Sequence, residues 1–137
     1  MMAEDAERID EFMTEAGVFF LATVDGDKPK NRPLGLHILK DGKIYFGVGD
    51  HKDVCKQMQE NPNVEIVALV ETDFLRYYGK VVFEETYDMA EAIIAGNEFL
   101  QGLYNDETGF KMAIFHLEEA TAEIRDVTGK INESYNF

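Results

Sequence analysis

Residues 31–54 read NRPLGLHILKDGKIYFGVGDHKDV, and the fold turns on how this stretch is divided. Residues 31–39 and 43–48 are two β-rich runs, each read as a strand. Between the two runs, Lys40-Asp41-Gly42-Lys43 carries the Asp-Gly pair that favours a tight hairpin turn. After the second run, Val54, Cys55 and Met58 fall on one face of a helix predicted over 51–60. Asp50 is placed to cap that helix and Asn61-Pro62 to end it. Strand, turn, strand and helix therefore follow one another without a linker.

Working outward, residues 18–24 form a third β-rich run, separated from the first by the turn signal Asp25-Gly26-Asp27-Lys28-Pro29. The three runs are expected to form an antiparallel meander. Ile9, Phe12, Met13 and Ala16 recur at helical spacing over 4–16 until Gly17 stops the pattern. Downstream, residues 64–70 and 74–85 read as strands joined across Glu71-Thr72-Asp73. Residues 87–104 return to helical periodicity through Met89, Ile93 and Leu100, with Gly96 as a weak point. Residues 105–109 read as a loop, 111–117 and 120–127 as a last strand pair, and 129–137 as a polar and aromatic tail. Six or seven mostly antiparallel strands with helices at their connections give a mainly β (α+β) chain, a small closed or partly open barrel with helical covers. At 137 residues it is expected to be one domain over 1–137.

Composition narrows the function. The longest apolar runs, 18–24 and 66–70, are far too short to cross a bilayer, and the N-terminal MMAEDAERIDEF is acidic and amphipathic where a secretory leader is basic and then apolar. A cytoplasmic protein with no membrane partner is expected. The formal charge of −14 opposes nucleic-acid binding, which depends on cations that neutralise phosphates. Cys55 has no second cysteine to pair with and reads as a small buried hydrophobe. Glu84, Glu85, Asp88 and Glu91 come without a histidine partner, so no metal site is expected.

Against this acidic background, Lys28, Lys30, Arg32, Lys40, Lys43, Lys52 and Lys56 face only Asp41, Asp50 and Asp53 within residues 28–56. Such an island attracts a small anion while the chain as a whole repels polyanions. Gly47 and Gly49 let the backbone approach a ligand closely, and the first N–H groups of the following helix add partial positive charge. Arg32, fixed by Pro33, and Lys52 add full charges, a set suited to a phosphate dianion. His51 adjoins that site. His37 and His116, inside strands, read as structural.

Arg32-Pro33, the Lys52 helix, Asn61-Pro62 and Gly79-Lys80, in this order, resemble the flavin-binding split-barrel family typified by pyridoxamine 5′-phosphate oxidase, above all its short bacterial members. The resemblance spans roughly residues 10–127. It implies a six-stranded antiparallel split barrel with covering helices, a homodimer, and two flavin mononucleotides (FMN) at the subunit interface. Carried over, it sets Arg32, Pro33 and Leu34 along the flavin, Val48 and Gly49 under the ribityl chain, and Lys52 with His51 at the phosphate. Arg76 would approach from the neighbouring subunit. Phe74 replaces a tryptophan common in relatives, and Val48 stands where they often carry a hydroxyl. The C-terminal INESYNF lacks the arginine- and histidine-containing segment with which pyridoxamine phosphate oxidases hold substrate phosphate.

The function implied is an FMN-binding oxidoreductase acting on an unknown small molecule, with the ring supplying the redox chemistry and no dedicated side-chain acid or base. Two alternatives stand beside it. One is a non-enzymatic flavin or haem binding protein on the same scaffold, and the other a nitroimidazole-resistance-like reductase in which His51 takes part.

Overall fold

The computed structural model describes residues 3–137, with side chains from residue 4. Helix α1 (Ala3–Ala16) leads into β1 (Phe19–Asp25), β2 (Lys28–Leu34), β3 (His37–Lys40) and β4 (Lys43–Gly49). Then come α2 (Asp53–Glu60), β5 (Asn63–Val70), β6 (Asp73–Phe83), α3 (Asp88–Ala95), α4 (Glu98–Leu103), β7 (Met112–Arg125) and β8 (Ile131–Asn136). All eight strands belong to one sheet of order β2-β1-β5-β6-β7-β4-β3, with β8 pairing the C-terminal half of the long β7, beyond the stretch that pairs with β4. Every pairing is antiparallel. This is a split barrel with covering helices, with eight strands rather than the expected six.

The quoted stretch divides differently from its sequence reading. Residues 28–40 are two strands, broken at Gly35-Leu36, and they pair with opposite ends of the sheet: β2 with β1, β3 with β4. The expected meander is therefore absent, because β2 and β3 do not pair with each other. Instead, two residues connect the two ends of the sheet, and so short a connection forces the sheet to curl until its edges meet. Pro29 and Pro33 are tolerated on β2 because it is an edge, where a missing N–H interrupts no second ladder. The turn into β4 forms as read, with Asp41 at φ 51° and Gly42 at φ 74°, the two positive values of a type I′ turn.

Alternation along the strands fills the interior with Phe19, Leu21, Ile44, Phe46, Ile66 and Leu75, none more than 3% exposed. Helix α1 closes one end of the barrel with Ile9, Phe12 and Met13. Outside the sheet, α3 and α4 cover Met112 and Ile114 through Ala90 and Leu100. The helix expected over 87–104 breaks at Gly96-Asn97, where the Asn97 side chain caps α4 by accepting from the Leu100 N–H at 3.1 Å.

The last two expected strands are one, β7. Glu119 takes φ 48° opposite a register shift between Tyr78 and Lys80, so the break expected between 117 and 120 is a bulge inside a continuous strand. The tail is a strand as well. β8 returns along β7, and Phe137 exchanges backbone hydrogen bonds of 2.8 and 3.1 Å with Ala120. Its mixed composition hides the pattern, because Glu133 sits among inward-leaning residues and is neutralised there by both nitrogens of an Arg8 fork at 2.9 Å. Among the described residues no helix is long and apolar enough to cross a membrane.

Candidate functional site

Where β2 leaves the barrel, the end of β4 and the start of α2 converge on a groove of about 570 Å³. Arg32, Pro33, Leu34, Val48, Gly49 and Lys52 all line it. Asn31, Lys30, Asp25, Asp53, Gln57 and Tyr104 complete its walls. The short β4–α2 connection holds these groups together: the Lys52 N–H donates to the Gly49 carbonyl at 3.1 Å, and Asp50 N–H donates to Lys111 O at 2.9 Å.

The helix starts two residues later than expected, at Asp53, and Asp50 does not cap it. The Asp50 carboxylate is taken by the Tyr87 hydroxyl, 2.8 Å away, so it cannot reach back to the helix. Lys52 occupies the N-cap position with no side-chain cap bond. The first turn of α2 therefore presents uncapped N–H groups beside the groove, where an anion can accept from them.

Arg32 does more than the sequence indicates. Its Nη1 donates to the Leu21 carbonyl at 3.0 Å and to Thr23 Oγ1 at 2.8 Å, and its Nη2 donates to Gln57 Oε1 at 3.0 Å. Thr23 in turn donates to the same Gln57 oxygen at 2.6 Å. Both Thr23 and Gln57 are buried, so the guanidinium ties β2 to β1 and to α2 from inside the groove. Among the described residues no carboxylate forms an ion pair with it. All three acceptors are neutral, burial lowers the arginine's pKa from its ordinary value, and its charge is left without a counter-ion. Nε and the second hydrogen on Nη2 remain free to donate.

The other candidates separate into those at the groove and those away from it. Val48 lines the groove but is 3% exposed and packs in the barrel core. Gly49 is required by contact: a Cβ there would lie 2.6 Å from His51 Cε1 and 3.4 Å from the Tyr104 hydroxyl. His51 packs against Gly49 and stacks on Phe110, ring centroids 3.8 Å apart and 10° from parallel. Arg76 is not at the groove. It lies on β6, paired with Glu65 at 2.8 Å, in a cross-strand row that runs Pro33, Phe20, Val67, Arg76 over the outer face.

Thr23, Gln57 and Tyr104 belong to the site and were not legible as such. Thr23 is the one polar residue in the run 18–24, and Gln57 accompanies Val54 and Met58 into the core; a polar group in each apolar pattern was the available signal. Tyr104 arrives from the far end of α4, with its hydroxyl pKa raised by burial and then by Asp50. His37 and His116 are structural: His37 Nδ1 meets Asp10 at 2.6 Å to fasten α1, and His116 Nε2 meets Glu118 at 3.0 Å. Cys55 is buried, and burial pushes its thiol up.

Comparison with known proteins agrees with this fold. Residues 6–119 match the family model described as pyridoxamine 5′-phosphate oxidase. A nimc/nima family protein from Clostridium acetobutylicum is 29% identical, with a TM-score of 0.85 over 98% of this chain and 94% of the other. A pyridoxamine 5′-phosphate oxidase-related, FMN binding protein from Nostoc punctiforme shares the fold at 16% identity, TM-score 0.62, over 98% of this chain and 94% of that one. So does a heme binding protein from Mycobacterium smegmatis, at 16% identity and TM-score 0.67, over 99% of this chain and 58% of the other. No curated protein sequence gives a significant match. With a family model covering most of its length and a split barrel of the same architecture, the chain belongs to the pyridoxamine 5′-phosphate oxidase-like split-barrel family.

Proposed function

We propose that the groove between β2, β4 and α2 binds FMN and that the chain is an FMN-dependent oxidoreductase acting on a small molecule. The observation that carries this reading is Arg32, a partly buried cation at the groove with three neutral acceptors and no carboxylate. A charge left unbalanced inside a protein is costly unless a ligand completes it, and a phosphate supplies the missing anion. Lys52 and the uncapped start of α2 complete the phosphate site, with Pro33 and Leu34 beside the flavin and Gly49 keeping the wall low. When bound there, flavin supplies two-electron transfer; this chain's residues bind and orient it.

A homodimer with cofactor at its interface fits the outer face. Val18, Phe20 and Leu69 are 51%, 45% and 60% exposed there, large apolar groups that a second subunit would cover. Arg76 stands three strands from Pro33 on that face, about 14 Å at the usual strand spacing. It is thus too far to serve the groove of its own chain and well placed to serve its partner's. Titration with FMN tests the reading directly: Lys52→Ala is expected to weaken binding about tenfold, the scale of one lost charge-assisted contact. Unchanged affinity in both Lys52→Ala and Arg32→Ala would put the phosphate elsewhere.

A second reading, a nitroimidazole-resistance-like reductase, draws support from the position of His51 against Gly49 at the groove's edge. Nitroimidazole reduction by the flavin-loaded protein, lost in His51→Ala with FMN affinity retained, is the result that would favour it.

A further inference from the structure

A second cavity, of about 450 Å³, opens between α3 and the segment 104–112, and it shares the Tyr104 wall with the groove just described. Its floor is fixed: Ala90 and Met112 are 2% and 1% exposed and pack on the sheet. Its sides are aromatic and already held in place. The Tyr87 hydroxyl is anchored on Asp50 at 2.8 Å, and the Phe110 ring lies flat on His51. Aromatic walls positioned before a ligand arrives lose little entropy when it binds, and the volume is that of a small-molecule site.

Charge selects the class of ligand. Glu91 and Asp106 line the cavity, and among the described residues neither forms an ion pair. The one lysine of the lining, Lys111, has its Nζ 4.9 Å from the Tyr87 ring centroid, engaged with that π face. Two unpaired carboxylates against one lysine already engaged with Tyr87 favour a cation, and the rings of Tyr104 and Phe110 in the lining favour a flat one, whereas the neighbouring groove, with Lys30, Arg32 and Lys52 against Asp25 and Asp53, favours an anion. We propose that this cavity binds a planar organic cation, such as an aromatic ammonium ion or an N-alkylated heteroaromatic ring. The inference rests on the cavity alone and stands whether or not the adjacent groove holds flavin.

Calorimetric titration of the purified protein with N-methylquinolinium, neutral quinoline and 1-naphthoate, three probes of similar size and different charge, tests it. The cation is expected to bind at least tenfold more tightly than either of the others. Replacing Glu91→Gln and Asp106→Asn together should weaken the cation at least fivefold and leave quinoline unchanged. Because these are two exposed charges on a chain of formal charge −14, a diffuse attraction to the whole surface would hardly respond to their loss. Ile94→Trp, which fills the cavity, should abolish binding of the cation in protein whose urea midpoint is unchanged. Equal affinity for cation and anion overturns the proposal, and so does cation binding that survives the paired charge substitutions.

Discussion

Arg32 carries two roles that its sequence position separates poorly. In the proposed phosphate site its charge meets the anion, and its planar fork holds Thr23, Gln57 and the Leu21 carbonyl together. Arg32→Lys keeps the charge but cannot reproduce three donors in fixed directions. Urea unfolding of that variant should show a loss of about 1–3 kcal/mol, the cost of leaving buried Thr23 and Gln57 without their partner. If Arg32→Lys unfolds at the wild-type midpoint, the network contributes nothing to stability. Lys52, exposed and without a protein partner among the described residues, should behave oppositely: Lys52→Ala loses affinity and keeps its midpoint. Cys55, buried with a raised thiol pKa, should resist alkylation until the protein unfolds. The cations of the groove were legible in the sequence because a basic cluster is rare in so acidic a chain. Thr23 and Gln57 were not, since a single polar residue in an apolar pattern does not say which distant strand will satisfy it.

At the scale of elements, the strands were legible wherever one face is buried and the other wet, and the boundaries failed where backbone geometry intervened. The run 31–39 looked continuous because Gly35-Leu36 bends without a polar turn, and that bend is what closes the barrel. The gap between the two expected strands at 118–119 is a bulge, allowed because Gly79 faces it with no side chain: a Cβ there would sit 2.6 Å from Ala120 Cβ and 2.9 Å from the Glu118 carbonyl. Gly79→Ala should therefore destabilise by about 1–3 kcal/mol in chemical denaturation, the usual cost of overpacking against backbone. The docking of α1 onto β8 should respond to acid. The Arg8 hydrogen bonds, aided by the Tyr135 hydroxyl at 2.6 Å, hold the Glu133 carboxyl below its ordinary 4.5. A depressed carboxylate contributes stability above its unfolded pKa and loses it as pH falls through the folded one. Wild type should thus lose more stability than Glu133→Gln between pH 6 and pH 3, and identical pH profiles for the two would remove Glu133 from the acid response.

For the whole molecule, the charge map and the apolar map point to one assembly. The chain is strongly acidic except around the groove, so a small phosphate-bearing ligand is drawn in while polyanions are repelled. The exposed Phe20 and Leu69 lie on the same outer face as Arg76, and light scattering should return twice the 15.6 kDa chain mass at micromolar concentration. Phe20→Lys should shift that mass toward the monomer and weaken FMN binding together, since in the proposed dimer each groove is completed by the partner's face. The most direct measurement compares FMN with riboflavin, which lacks only the phosphate, by fluorescence titration of wild type and Lys52→Ala. Binding of FMN at least tenfold tighter than riboflavin in wild type, with that preference largely lost in Lys52→Ala, is the expected result. Equal affinities for the two flavins in wild type would contradict a phosphate held by Arg32, Lys52 and the start of α2.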